Sequence, residues 1–303
     1  MLSANELESL IAAQNTEEAI KILTDKGYGL NISGNETIDE ILKGELEKAW
    51  TEAKNVCPEG APLDILLYQN DFHNLKTILK ASICGVSWEH LVLKPCIQDP
   101  EKISEAVKSV NFDDLDEFIR DTAKTAYNLI CETNDGQLVE VYLDKKVWRK
   151  MLEKSISVKN EFLSGWINLN ILIANMKIAV RSYGKSKEFI KNAMIESDEL
   201  NTDKLIEAAL LGKEEVIETI SSLGFPEAAE LLEKSFSDFE KWCDNKKMEY
   251  IKKAKLKSFG FEPILAFLIG KEFELQAVRI ILSGKQNNVP TEIIRERLGD
   301  LYV

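Results

Sequence analysis

YQNDFHNLKTILKA, from Tyr68 to Ala81, is the stretch on which the reading of this 303-residue chain turns. Tyr68, Phe72, Leu75 and Leu79 recur at i, i+4, i+7 and i+11, which predicts a helix with one apolar stripe. Asp71, His73, Asn74 and Lys76 sit beside that stripe. Such a cluster is either an active site, a metal site or part of a repeated structural device.

The repeated device has support elsewhere in the chain. Asn74-Leu75-Lys76 precedes Thr77-Ile78-Leu79-Lys80. Asn175-Met176-Lys177 precedes Ile178-Ala179-Val180-Arg181, and Ala277-Val278-Arg279 precedes Ile280-Ile281-Leu282-Ser283. Each reads small or polar, apolar, cation, any, apolar, apolar. The spacings are 101 and 102 residues, and Gly85, Gly184 and Gly284 are expected to close the three helices. A second pair agrees: EEAIKILTDKGY from Glu17 and EEVIETISSLGF from Glu214 share their acids, their apolar positions and a Gly-aromatic end, with a weaker echo at Asp116. Three units of about 100 residues follow, at 1–104, 105–203 and 204–303. They are long for solenoid repeats, so an arrangement about an approximate threefold axis is the expectation.

Outward from there, nearly every segment has helical periodicity, with caps and prolines at the joints. Thr16 is an N-cap candidate, Gly27 a helix end, and the helix from Thr37 is expected to stop before Pro58. The segment from Asp144 to Ser182 reads as one long helix or two joined near Gly165. Only Gln137–Leu143 alternates like a strand. The fold class is therefore all-α.

A net charge of −13 argues against a nucleic-acid surface and against anionic lipid. The apolar run Ile171–Val180 is broken by Asn175 and Lys177 and falls short of the roughly 20 residues of a membrane span. Five scattered cysteines without C-x-x-C spacing read as reduced thiols of a cytoplasmic protein. The sequons at Asn31 and Asn35 read as solvent loops.

Catalytic constellations are not apparent. Asp71 and His73, two residues apart on a helix, point about 200° apart, so a helix-edge polar contact is favoured over acid–base or metal chemistry. Gly212-Lys213, Gly270-Lys271 and Gly284-Lys285 lack the remaining P-loop residues. The acid pairs Asp113-Asp114 and Glu214-Glu215 are expected to open helices. Lys76, Lys177 and Arg279 share one register. They read as salt-bridged edge residues or, more sharply, as a ring of cations offered to an acidic partner. The like-charged pairs Lys76/Lys80 and Lys177/Arg181 call for acidic neighbours in the fold or a partner.

YQNDFHNLKTILKA resembles the signature segment of the C subunit of the V/A-type ATPases, a family related to the d subunit (AC39) of the eukaryotic V-ATPase. PILAFLIGKEFELQAVRIILSGKQNNVPTEIIRERLGDLYV, from Pro263, is similar to that family's C-terminus, with Glu274 closing its Lys-Glu-x-Glu element. FLSGWINLNILIANMKIAVRSYGKSKEFI looks like the middle unit, with Leu172 where an acid is usual. NELESLIAAQNTEEAIKILTDKGYG fits the opening, although a further helix before this point is expected of the family.

The resemblance implies a funnel-like, all-helical protein of three similar domains. It implies a non-catalytic central-stalk component, without cofactor or metal, that couples shaft subunits of D/F type to the membrane proteolipid ring for proton or sodium transport. It would be peripheral on the cytoplasmic face, without membrane insertion, and a monomer when isolated. Candidate interface or structural residues are Asp71, His73, Asn74, Lys76, Lys80, Asn175, Lys177, Arg181, Glu274 and Arg279. The competing expectation is a generic helical scaffold for soluble partners.

Overall fold

The computed structural model describes residues 1–29, 37–197 and 201–303. The sequons at Asn31 and Asn35 lie outside them. In chain order the α-helices are α1 (Ala4–Ala12), α2 (Thr16–Asp25), α3 (Ile38–Val56), α4 (Tyr68–Cys84), α5 (Pro100–Ser109), α6 (Glu117–Thr133), α7 (Gly136–Val158) and α8 (Glu161–Arg181). There follow α9 (Lys187–Ala193), α10 (Thr202–Leu211), α11 (Lys213–Ser222), α12 (Pro226–Lys234), α13 (Phe236–Lys252), α14 (Glu262–Gln286) and α15 (Thr291–Arg297). No β-strand occurs among the described residues, and the chain is all-α. It packs as two compact units, Met1–Ala61 with Glu227–Val303, and Pro62–Pro226.

In the first unit α14 is the central helix. Leu275, Val278, Ile281 and Leu282 meet Leu10 and Ile11 of α1, Leu23 of α2, Leu42 of α3 and Ile294 of α15 in one apolar cluster. Ser3 and Thr37 cap α1 and α3 through full capping boxes with Glu6 and Glu40.

In the second unit α7 packs against α4, α6, α8 and α9. Its buried stripe is Val139, Leu143, Val147 and Met151, an i+4 series in which each apolar side chain contributes about 1.5–3 kcal/mol. Gln137–Leu143 is thus the start of a helix and not a strand. Asp135 Oδ1 accepts from the N–H groups of Gln137 and Leu138 and nucleates it, and the apparent alternation arises because Val141, between the buried Val139 and Leu143, is half-buried on the wall of a cleft. The break between α7 and α8 is not at Gly165. It falls at Lys159, whose φ is 54°, followed by Asn160, whose side chain caps Leu163 N–H at 2.9 Å. Asn160, not the glycine, carries the stop-and-start signal.

Smaller differences have similar causes. Asn15, not Thr16, caps α2. Glu214 and Glu215 do lie in the first turn of α11, whereas Asp113 and Asp114 lie in the turn before α6. α8 has 21 residues, with a mean hydropathy of 1.3 over its most apolar 18, so it is long and apolar enough to cross a membrane by length and composition. It is mostly buried as a core helix, with Asn170 and Asn175 inside.

The repeated motifs have repeated surroundings in part. α2 and α11 end alike: Gly27 (φ 87°) and Gly224 (φ 94°) turn the chain. Tyr28 N–H then donates to Leu23 O at 3.0 Å, and Phe225 N–H to Ile220 O at 3.3 Å. Gly85 and Gly184 likewise take positive φ after α4 and α8. Gly284 does not close its helix. It lies within α14, where an added Cβ would come within 2.7 Å of Ile294, so its role is close helix packing.

Candidate functional site

α4 carries the opening cluster, and its side chains go to different places. Phe72, Leu75, Ile78 and Leu79 are buried, and Tyr68 stacks on Phe118 at 4.6 Å. Asn74 is also buried. Its Nδ2 donates to Leu93 O at 3.0 Å and its Oδ1 accepts from Leu93 N–H at 2.7 Å. Asn175 on α8 makes the same two bonds with Ile195, both at 2.8 Å. In each case one side-chain amide satisfies both backbone groups of a residue 19 or 20 positions on, which pins the returning chain to the helix. Ala277 has no amide to offer. It is buried in an apolar cluster with Ile294 and Leu298 of the returning segment, so van der Waals packing replaces the polar clamp there.

Asp71 is fully buried. Its carboxylate accepts from Ile97 N–H at 3.0 Å and Gln98 N–H at 2.8 Å, while Gln98 Oε1 accepts from Asp116 N–H at 2.8 Å. Burial pushes its pKa up to about 7, against the lowering effect of the two backbone donors. Asp71 and His73 do not meet in a common site. His73 Nε2 lies 3.2 Å from Leu91 O and 3.3 Å from Thr77 Oγ1, a local contact at the helix edge.

Glu274 of α14 stands 203 residues after Asp71, the same offset that separates Ala277 from Asn74. It too is buried and receives a backbone donor, Leu2 N–H, together with the Tyr28 hydroxyl. Unlike Asp71 it has a buried cation, Lys271, whose Nζ is 2.7 Å from Glu274, 3.0 Å from the Tyr28 hydroxyl and 3.5 Å from Glu45. Burial and the Glu274 charge hold the Tyr28 hydroxyl firmly protonated. Sequence reasoning missed Tyr28, Glu45 and Lys271. The Lys-Glu-x-Glu element could have pointed to Lys271, but nothing local in α3 marks Glu45 as its partner.

The cations fall into two groups. Lys76 bonds Asp144 at 3.1 Å, and Lys80 bonds Glu140 one turn along. The acidic neighbours required by the like-charged pair are therefore an i,i+4 pair on α7. Arg279 pairs with Asp39 within the other unit. Lys76 and Lys177 open onto one cleft of about 530 Å³, formed by α4, α7, α8 and α9. His73, Arg181 and Lys185 join its rim, and Phe72, Trp148 and Phe189 give it an apolar floor. Lys185 Nζ lies 5.7 Å from the Phe189 ring centre. A rim of lysine and arginine side chains attracts anionic groups. Among the described residues, no group of three His, Cys, Asp or Glu side chains converges as a metal site.

The model for the ATP synthase (C/AC39) subunit family matches residues 1–297. The C subunit of the V-type sodium ATPase of Enterococcus hirae is 22% identical, with the whole of this chain and 94% of that protein covered. The C subunit of the A-type ATP synthase of Methanocaldococcus jannaschii is 27% identical, covering 97% of this chain and 82% of that one. Its counterpart in the A-type ATP synthase of Methanococcoides burtonii is 26% identical, at 88% and 79%.

Proposed function

The chain belongs to the ATP synthase (C/AC39) subunit family, and from that premise we propose that it is a non-catalytic central-stalk component of a V/A-type rotary ATPase. It couples the shaft subunits of D/F type to the membrane proteolipid ring, peripherally on the cytoplasmic face. The transported ion is then selected by the ring and not by this chain. The observation that carries this reading is the family match over nearly the entire length.

Physical features support it. A part that transmits torque must not yield between its loaded ends. Asn74, Asn175, Asp71 and the Lys271–Glu274 network tie helices to distant backbone through buried polar bonds, which are costly to open. Three repeats, 1–104, 105–203 and 204–303, are part of the proposal. The matched clamps at Asn74 and Asn175 and the matched acids at Asp71 and Glu274 favour them. The cleft with Lys177 and Arg181 on its rim suits an acidic segment of a neighbouring protein in the complex.

The test is to strip this chain from ATPase-bearing membranes and read ATP hydrolysis and ion uptake together. Hydrolysis without uptake, with coupling restored on adding the chain back, is the expected result. Full ion uptake in its absence would refute the role.

A further inference from the structure

From the last turn of α13 to the start of α14 the sequence Tyr250-Ile-Lys-Lys-Ala-Lys-Leu-Lys-Ser-Phe-Gly-Phe261 holds four lysines and no acid. Lys253–Leu256 forms a single 3-10 turn, and an exposed loop follows to Gly260. Leu256 and Phe259 are 89% and 91% exposed, more than any other large apolar side chain among the described residues. Lys253, Lys255 and Lys257 are exposed beside them. Two of these lysines lie over aromatic rings, Lys253 over Tyr250 and Lys255 over Tyr302, each at 4.8 Å. Lys257 is paired with Glu262 at 2.9 Å.

We propose that this loop is a membrane-contact element, with Leu256 and Phe259 entering the interfacial layer of an anionic bilayer and Lys253 and Lys255 meeting its headgroups. The chain's net charge of −13 does not oppose this. Charges beyond about 8 Å are largely screened at physiological salt, so the membrane meets the local lysines and not the whole protein. A protein partner fits less well. A stable protein interface buries about 800 Å² per side, whereas interfacial docking needs only a few apolar side chains next to basic ones. The inference stands on the loop's own chemistry and is separate from the coupling role.

The test is co-sedimentation of the full chain with vesicles of phosphatidylcholine alone and of phosphatidylcholine mixed with phosphatidylglycerol. Partitioning onto the mixed vesicles is expected to exceed that onto the neutral ones by about 25-fold, about fivefold for each of the two lysines. Leu256→Ser with Phe259→Ser is expected to lower it by about tenfold, and Lys253→Gln with Lys255→Gln by about fivefold per lysine. All four side chains are exposed, so an unchanged far-ultraviolet circular dichroism spectrum is the companion readout. No partitioning, equal partitioning onto both vesicle types, or wild-type partitioning by the apolar double variant would overturn the proposal. Ion coupling, measured on the reconstituted complex, would be left untouched by that failure.

Discussion

Asn175→Ala is the most direct probe of the clamp. Both hydrogen bonds of Asn175 are 2.8 Å long and buried, and both end on Ile195. The substitution leaves one N–H and one C=O without partners in a dry setting, at about 1–3 kcal/mol each. We expect a total of about 2–6 kcal/mol. Asn74→Ala removes the same pair of bonds from Leu93, but these are only partly buried and Leu93 is 43% exposed, so water can replace the amide. That variant should lose about 1 kcal/mol. Because the chain packs as two units, a local readout is more direct than a global unfolding midpoint. Amide hydrogen exchange provides one. A loss of about 3 kcal/mol corresponds to roughly two decades of protection at the Ile195 amide. The reasoning fails if Ile195 exchanges at the wild-type rate in Asn175→Ala, or if the two alanine variants lose equal protection.

Three further outcomes are expected. Lys271→Met strands Glu274 and Glu45 without their buried cation, and should lower stability by about 3–5 kcal/mol in denaturant titration, far more than any surface pair. Asp71, raised by burial from the ordinary carboxylate range to about 7, binds a proton in the folded chain that the unfolded chain releases earlier. Its contribution therefore falls as pH rises from about 4 to about 7, on the order of 4 kcal/mol, and Asp71→Asn should flatten that slope in stability measured against pH. Lys76→Glu places a third acid near Asp144 and Glu140 on the cleft wall. It should lower stability by less than about 1 kcal/mol, the Asp144→Lys partner change should restore it, and weaker assembly with the rest of the complex is the measurement that bears on the cleft.

The helices are largely legible in the sequence because their signals are local. Caps, i+4 stripes and helix-ending glycines act within one or two turns, and α2, α4 and α11 follow them, whereas α14 runs on past Gly284. Ambiguous local signals mislead: Gln137–Leu143 alternates over too short a span to distinguish strand from helix, and Gly165 is more conspicuous than Asn160 although Asn160 starts α8. The candidate positions are legible as a repeat, but their partners are not. Asn74 and Asn175 answer backbone groups, which any residue would supply at Leu93 and Ile195.

By itself the sequence determined the all-helical class, the recurring register of Asn74, Asn175 and Ala277, and the family likeness at both ends. All of these reside in order and spacing along the chain. Only the tertiary structure decided that Asp71 is buried without a cation while Glu274 has Lys271, that Lys76 and Lys177 share a cleft while Arg279 turns to Asp39, and that Leu256 and Phe259 stand in solvent. The physical reason is range: helix formation is settled by neighbours a few residues away, whereas burial and charge pairing depend on groups brought together from distant parts of the chain.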